Sequence, residues 1–391
     1  MRLERGDAVG LARALIGVDS RNPSLVPGAP GEREAARLLA GVLEAWGFRV
    51  DVHEAAPRRP NVVARLGAPG GRTLMFNGHL DVVGVEGMQH APFDAVERDG
   101  RLYGRGSADM KAGIAAMCAA AALAGDGLSH GEVIVAAVAD EEYASRGTRA
   151  LVERGIRADA AVVTEPTGLA IMPAHRGFVW AEFTFHGRAA HGSRYDVGVD
   201  AIRHAGLLLA ELDAFDAGPL AHRTHPLLGH ASLHAALISG GQGMSTYPDR
   251  CELKIERRTM PGETPSGVMA EFEAACARLR ERRPELRVDL ALLLAQSPSD
   301  VAVDAPVVAA LRDGLNHQAI PVRVEGMSAW TDCAILNDAG IPAICFGPGD
   351  IALAHGPEEY VEIEQIRQAT AVLERMARTW CGATMEGAWR N

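Results

Sequence analysis

Two histidines and five carboxylates fall in five short segments, each at or just beyond the end of an apolar stretch. GHLDVV carries His79 and Asp81, GRGSADMKAG carries Asp109, ADEEYASRGT carries Glu141 and Glu142, VVTEPTG carries Glu165, and LAHGPEEY carries His355. Imidazole nitrogens and carboxylate oxygens are donors that suit zinc, cobalt or manganese, and none of these segments supplies a thiolate. A divalent cation held by such a set lowers the pKa of a bound water to about 7. Taken singly, each residue also has an ordinary structural reading. A histidine after a strand is commonly a hydrogen-bonded surface residue, Asp81 can be a turn, and Glu141–Glu142 can be a solvated helix start. Their joint occurrence is what points to a site. The glycines of GRGSAD do not make a dinucleotide fingerprint, because Asp109 stands where a third glycine is needed.

These residues need a scaffold, and the hydrophobic pattern supplies one. Residues 32–46 carry Ala35, Leu38, Leu39, Val42 and Leu43 at helical spacing, with Gly47 as the C-cap. The runs NVVARLG, RTLMFNGHLDVV and GEVIVAAVAD then alternate with a helix from Met110. Apolar strands interleaved with helices predict an α/β layer, its sheet buried on both faces and its ligands beyond the carboxyl ends of the strands. Near residue 177 the pattern changes. FVWAEFTFHG alternates as a half-exposed strand, and the order that follows is helix, two strands, helix, strand. That βαββαβ order predicts a small ferredoxin-like four-stranded sheet with two helices on one face. The α/β pattern resumes after residue 296 with IPAICFGPG. The expected organisation is a catalytic domain of residues 1–176 and 297–391, with an inserted domain of residues 177–296.

Composition narrows the function. Of 391 residues, 48% are hydrophobic and 23% charged, an ordinary globular balance. With 39 basic against 50 acidic residues the formal charge is −11, which repels phosphate backbones and argues against nucleic acid as a partner. The six cysteines include no CxxC pair and several stand among apolar neighbours, as buried reduced thiols of a cytoplasmic protein do. No signal-peptide pattern is evident at Met1, and the longest apolar run, Ala112 to Ala124, is too short to span a bilayer. A buried core helix is expected there, and no membrane partner.

The motifs HxD, GRGxxDMK, DEE, EPT and HGPxEY, in this order over nearly the whole chain, resemble those of the di-zinc family of acetylornithine deacetylase, succinyl-diaminopimelate desuccinylase, aminoacylase and carboxypeptidase G. The resemblance implies a zinc-peptidase-like catalytic domain with a central mixed sheet, and a βαββαβ insertion serving as lid and dimerisation domain. It implies two divalent metal ions, zinc first, with cobalt or manganese as alternatives. His79 and Glu165 would bind one metal, Glu142 and His355 the other, and Asp109 would bridge them, its bond to Met110 being cis. Asp81 would fix His79, since a ligating imidazole usually donates its other N–H to a carboxylate. Glu141 would act as general base on a bridging water.

The same resemblance assigns residues in the insertion. His191, in GRAAHGS, would stabilise the tetrahedral oxyanion, reaching an active site across the interface of a homodimer formed through the lid. Arg258, in ERRTMPGE, would grip a substrate carboxylate, with Arg176 a second substrate-binding residue and Arg257 a solvated neighbour. Gly347 and Gly349 would shape the loop before His355. Trp330 is read either as pocket lining or as a structural tryptophan, and Asp332 as a loop-orienting or substrate-contacting residue. The chain departs from the family where relatives carry asparagine ahead of a lid strand, reading Ser245 or Thr246, and where Glu256 replaces an aspartate. Both departures bear on substrate contacts, not on the metals. The implied reaction is hydrolysis of an amide in a small N-acyl-L-amino acid, of acetylornithine type. A dipeptidase or glutamate-type carboxypeptidase is the alternative within the family, and a ligand-binding relative without turnover the alternative outside catalysis.

Overall fold

Seven strands of the α/β pattern form the body of a nine-stranded mixed sheet in the computed structural model, which describes residues 3–68 and 70–382. In spatial order they are Arg49–Ala56, Arg59–Ala68, Gly131–Val138, Thr73–His79, Ala160–Val163, Ala343–Cys345 and Ile171–His175. The four from Gly131–Val138 to Ala343–Cys345 run parallel to one another, with antiparallel strands on either side. Their apolar runs are continuous because both faces are covered: Val133 to Val138 and Leu74 to Phe76 are fully buried. The helix Ala112–Gly125 packs against Ile363–Gly382 and Ala8–Ile16. Its alanines let neighbours approach closely, and nearly every residue in it is buried. Among the described residues, Ser107–Gly125 is the segment long and apolar enough to cross a membrane, and 89% of its most apolar window is buried inside the protein.

The chain separates into two units. One comprises residues 1–173, 301–327 and 331–391, and the other residues 174–300 and 328–330. The inserted unit is thus a few residues longer at each end than the 177–296 expected from the pattern change, and it takes Ser328–Trp330 from the resumed segment. Its sheet runs Ser232–Gly240, Arg250–Thr259, Gly177–His186, Arg287–Gln296, all antiparallel. The helices Ala201–Phe215 and Pro265–Arg282 cover one face, over Ala181, Phe183, Phe185, Leu253 and Ile255. Each helix starts on a capping side chain. Asp200 accepts from Arg203 N at 2.8 Å, and Thr264 from Gly267 N at 3.1 Å just ahead of Pro265. The strand order β, α, β, β, α, β matches the expectation from sequence.

One reading fails here. Arg257 is not solvated; it is fully buried, with Nη2 2.5 Å from Glu263 Oε1. On the strand Arg250–Thr259 alternate residues turn toward the helices, and position 257 falls on the same face as Cys251, Leu253 and Ile255. Arg258 is on the other face. All six cysteines are buried and free, as expected from their apolar neighbours.

Candidate metal centre

Three of the parallel strands end where chemistry-bearing residues begin. His79 is the last residue of its strand, Glu141 and Glu142 follow Gly131–Val138 by three and four positions, and Glu165 follows Ala160–Val163 by two. Asp109 comes from the irregular turn Ser107–Lys111 that opens the long core helix, and its bond to Met110 is cis. His355 stands in the loop after Ala343–Cys345. Two loop glycines serve this convergence. A side chain at Gly347 would meet the carbonyls of Thr164 and Glu165 at 2.5 and 2.6 Å, and Gly349 takes a left-handed φ of +93°.

The resulting geometry is two triads that share one carboxylate. His79, Asp109 and Glu165 offer one set of ligand atoms within 4.8 Å of one another, and Asp109, Glu142 and His355 offer a second. His79 Nε2 lies 3.1 Å from Asp109 Oδ1 and 4.0 Å from Glu165 Oε1. His355 Nε2 lies 3.4 Å from Asp109 Oδ2 and 3.1 Å from Glu142 Oε2. The two ends differ in access: the His79 side chain is 2% exposed and that of His355 51%. Glu141 belongs to neither triad, and its Oε2 stands 4.0 Å from His79 Nε2.

So many acids in so little water strain one another. Burial, joined by the charge of Glu165, holds Glu141 well above the ordinary carboxylate range, and burial with Asp109 does the same to Glu165 and, less strongly, to Glu142. Burial would also raise Asp109, but hydrogen bonds from His355 and His79 outweigh it and hold that carboxyl low. The histidines respond in kind. His355 is pushed up to about 10 by its hydrogen bonds to Asp109 and Glu142, and His79 is held well above its usual value by Asp109, Glu165 and Glu141 despite burial. Two divalent ions suit this donor set, each with one imidazole and one carboxylate of its own and Asp109 between them.

The supports around the triads are buried polar residues. His79 Nδ1 is 2.9 Å from the main-chain carbonyl of Asp81 and 3.8 Å from its carboxylate. The carbonyl, and not the expected side chain, is therefore the nearer partner that orients the ring. The Asp81 carboxylate instead receives the amides of Glu141 and Glu142, both at 3.2 Å. On the opposite flank Glu359 accepts from the amides of Gly106, Ala108 and Asp109 at 3.0–3.1 Å and from Arg105 Nη1 at 2.6 Å. Arg105 also reaches the carbonyls of Gly356 and His355. One buried ion pair thus ties the Asp109 turn to the His355 loop. Both residues lie within the motifs GRG and HGPEEY, and sequence reading passed over them.

In the inserted unit the expected substrate residues are arranged differently. His191 is exposed on a turn, its Nδ1 2.8 Å from Ser193 Oγ, and the turn bridges to Thr246. That bridge lies at one of the noted departures from the family. Arg258 donates to the carbonyl of Ser328 at 2.9 Å and stands 3.4 Å from Glu256. Arg176 donates to the carbonyl of Leu228. Trp330 is pinned by Nε1 to the carbonyl of Ser297 at 2.9 Å and meets the buried His175 edge-on. Asp332, in the first unit, is buried and accepts from Thr148 at 2.6 Å, so it braces the loop.

Residues 75–379 match the model of peptidase family M20/M25/M40. The chain belongs to that family. It is an M20 metal-dependent amidohydrolase. It is 31% identical over 349 residues to the acetylornithine deacetylase of Myxococcus xanthus, covering 87% of this chain and 90% of the relative. It is 29% identical over 416 aligned positions to the N-formyl-4-amino-5-aminomethyl-2-methylpyrimidine deformylase of Bacillus subtilis, covering 97% and 96%. Among solved structures, aminopeptidase PepT from Bacillus cereus superposes with a TM-score of 0.79 over 97% of this chain and 99% of its own. At 20% identity that likeness concerns the fold alone.

Proposed function

We propose that the chain hydrolyses the amide of a small N-acyl-L-amino acid in the manner of an acetylornithine deacetylase. The observation that carries this reading is the pair of triads sharing Asp109, with Glu141 beside them but outside both. His79 and Glu165 would hold one divalent ion, Glu142 and His355 the other, and Asp109 both, zinc being the first expectation. Such ions, when bound, supply Lewis-acid polarisation of the amide carbonyl and an acidified water. The rest falls to the chain. Glu141, beside both triads but held by neither, is placed to take a proton from the attacking water and pass it to the departing amine. Its neighbour Glu142, engaged by His355, is not free to do so.

The acyl group is read as small because the two relatives described above are named for removing acetyl and formyl groups. In the inserted unit Arg258 offers a guanidinium fork for the substrate carboxylate, with Arg176 as a second cation. His191, exposed on its turn, would donate to the oxyanion of a neighbouring copy, so the working form is a homodimer. Its support is the strand Ser232–Gly240, an edge paired on one side only that exposes Leu237 and Ile238 at 65% and 55%. A cytoplasmic location fits the six free thiols.

Free-amine release from chelator-treated protein, before and after adding zinc or cobalt, tests the reading. The panel holds N-acetyl, N-formyl and N-succinyl amino acids and several dipeptides. Metal-restored release from an acetyl or formyl member is the expected result. Release from dipeptides alone would replace the deacylase with a peptidase. No release from any member would overturn the proposal.

A further inference from the structure

Beneath Glu141 and Glu142 lies a group of buried polar residues to which the proposed reaction gives no role. Three consecutive amides end in it. Asp140 N donates to Glu32 Oε1, Glu141 N to Asp81 Oδ1 and Glu142 N to Asp81 Oδ2, each at 3.2 Å. The accepting carboxylates are themselves cross-linked. Asn22 Nδ2 donates to Asp81 Oδ2 at 2.8 Å and to Asp140 Oδ1 at 3.1 Å. Arg59 holds Glu32 through Nε at 2.6 Å and through Nη2, which also lies 3.0 Å from Asp140 Oδ1. Glu32, Asp81 and Asp140 are fully buried and Arg59 nearly so, while Arg146 approaches Asp140 at 3.3 Å from a half-exposed position.

The backbone here has left its ordinary range. Asp140 has a φ of +67°, and its carbonyl accepts from Ala144 and Ser145 at 3.0 and 2.6 Å. A non-glycine residue keeps that conformation only where its surroundings impose it. The imposing contacts are the Arg59 guanidinium, the Asn22 amide and the carboxylate of Glu32.

We propose that Arg59 is a positioning residue for Glu141 and Glu142, acting through Asp140 and, by way of Asn22, through Asp81. The inference rests on the role proposed above for Glu141. Glu32, Asp81 and Asp140 are fixed in place by the donors that cross-link them. Arg59 supplies most of those bonds, and its planar fork reaches two of the three carboxylates at once, which a lysine cannot reproduce. Without it, Glu32 or Asp140 swings away. Either change withdraws an acceptor or a brace from the amides that aim the catalytic pair.

The test uses the full chain carrying Arg59→Met, Arg59→Lys or Asn22→Ala. It reads kcat and KM on the best amide of the panel, together with the visible absorption of the cobalt-loaded protein. Arg59→Met is expected to lose about 10–100-fold in kcat, the size seen when a group supporting a metal ligand is removed. Its KM should stay within about threefold, because the substrate contacts are elsewhere, and its cobalt spectrum should shift as Glu142 moves. Arg59→Lys should recover part of the kcat, and Asn22→Ala should lose about tenfold in the same pattern. An Arg59→Met protein with unchanged kcat and cobalt spectrum, or one altered in KM alone, would overturn the proposal. If Arg59→Met does not fold, Asn22→Ala decides alone, and an unchanged kcat and spectrum would be equally fatal. The spectrum is read without turnover, so if the parent hydrolyses nothing, the deacylase reading fails while the positioning role is still decided.

Discussion

The two units hold their functional residues in opposite ways. In the first, three of the five proposed ligands have a buried support: His79 by the Asp81 carbonyl, Asp109 by Glu359, Glu142 by Asp81. In the inserted unit His191 is exposed and bonded to a serine two residues away, and Arg258 rests against Glu256 and a main-chain carbonyl. A metal centre must be placed to within a few tenths of an ångström and so is built into the core. Groups that meet a substrate from outside must be reachable before it arrives. Substitutions at the first unit's site should therefore cost kcat or stability, and those at His191 and Arg258 should act through contacts with the substrate or its transition state.

The largest effect is expected at Glu141. Glu141→Ala should lose roughly 10²–10⁴-fold in kcat, with two metals per chain still found by elemental analysis, because Glu141 lies outside both triads. Full activity in that variant would remove it from the mechanism. Next is Glu359→Ala. It leaves Arg105, whose side chain is 3% exposed, without its carboxylate, and three amides without an acceptor. Breaking a buried pair in this way costs about 3–5 kcal/mol, to be measured as a drop in the urea midpoint. Glu359→Gln, which keeps the shape and one acceptor, should cost less. Equal costs would mean that the charge of Glu359 accounts for the whole effect and its packing for none of it.

The same contrast explains what could be read from the sequence. The five proposed ligands and Glu141, which the fold brings together, could be picked out because each sits in a short contiguous motif after an apolar run, where a strand end is visible as composition. The inserted sheet was legible through alternation, as in Phe178 to His186. Asn22, Glu32 and Arg59 were not, since they act on residues from 27 to 118 positions away and carry no local signature. The acceptor for His79 differs from the expected one, since the main-chain carbonyl of Asp81 and not its carboxylate lies nearest the ring. Arg257 was misread because its charge was weighed above its place in the alternation with Cys251, Leu253 and Ile255.

His191→Ala is expected to cost about 10²–10³-fold in kcat, the loss usual when one oxyanion donor is removed, with stability unchanged because the side chain is exposed. Mixing it with the Glu141→Ala variant sharpens the comparison. If His191 serves the neighbouring copy, a heterodimer has one site that retains both Glu141 and a partner's His191, and activity should reappear from two nearly inactive proteins. No recovery after subunit exchange would place His191 outside the reaction or within its own chain's site.

The smallest effect, and the most discriminating, compares two adjacent arginines. Arg258→Ala should raise KM by about 10–100-fold, the worth of a hydrogen bond to a charged group, with kcat within about threefold. The penalty should vanish for substrates whose α-carboxylate is replaced by an amide. Arg257→Ala should do the reverse. Its guanidinium is buried and held by Glu263 on the helix side of the same strand, so its removal should lower the urea midpoint and leave KM unchanged. The two residues share a backbone and a charge and differ in which face of the strand they take. If both variants changed KM alike, the inserted sheet would not be dividing structural from substrate-facing positions by its alternation, and the assignment of Arg258 to the substrate carboxylate would fall with it.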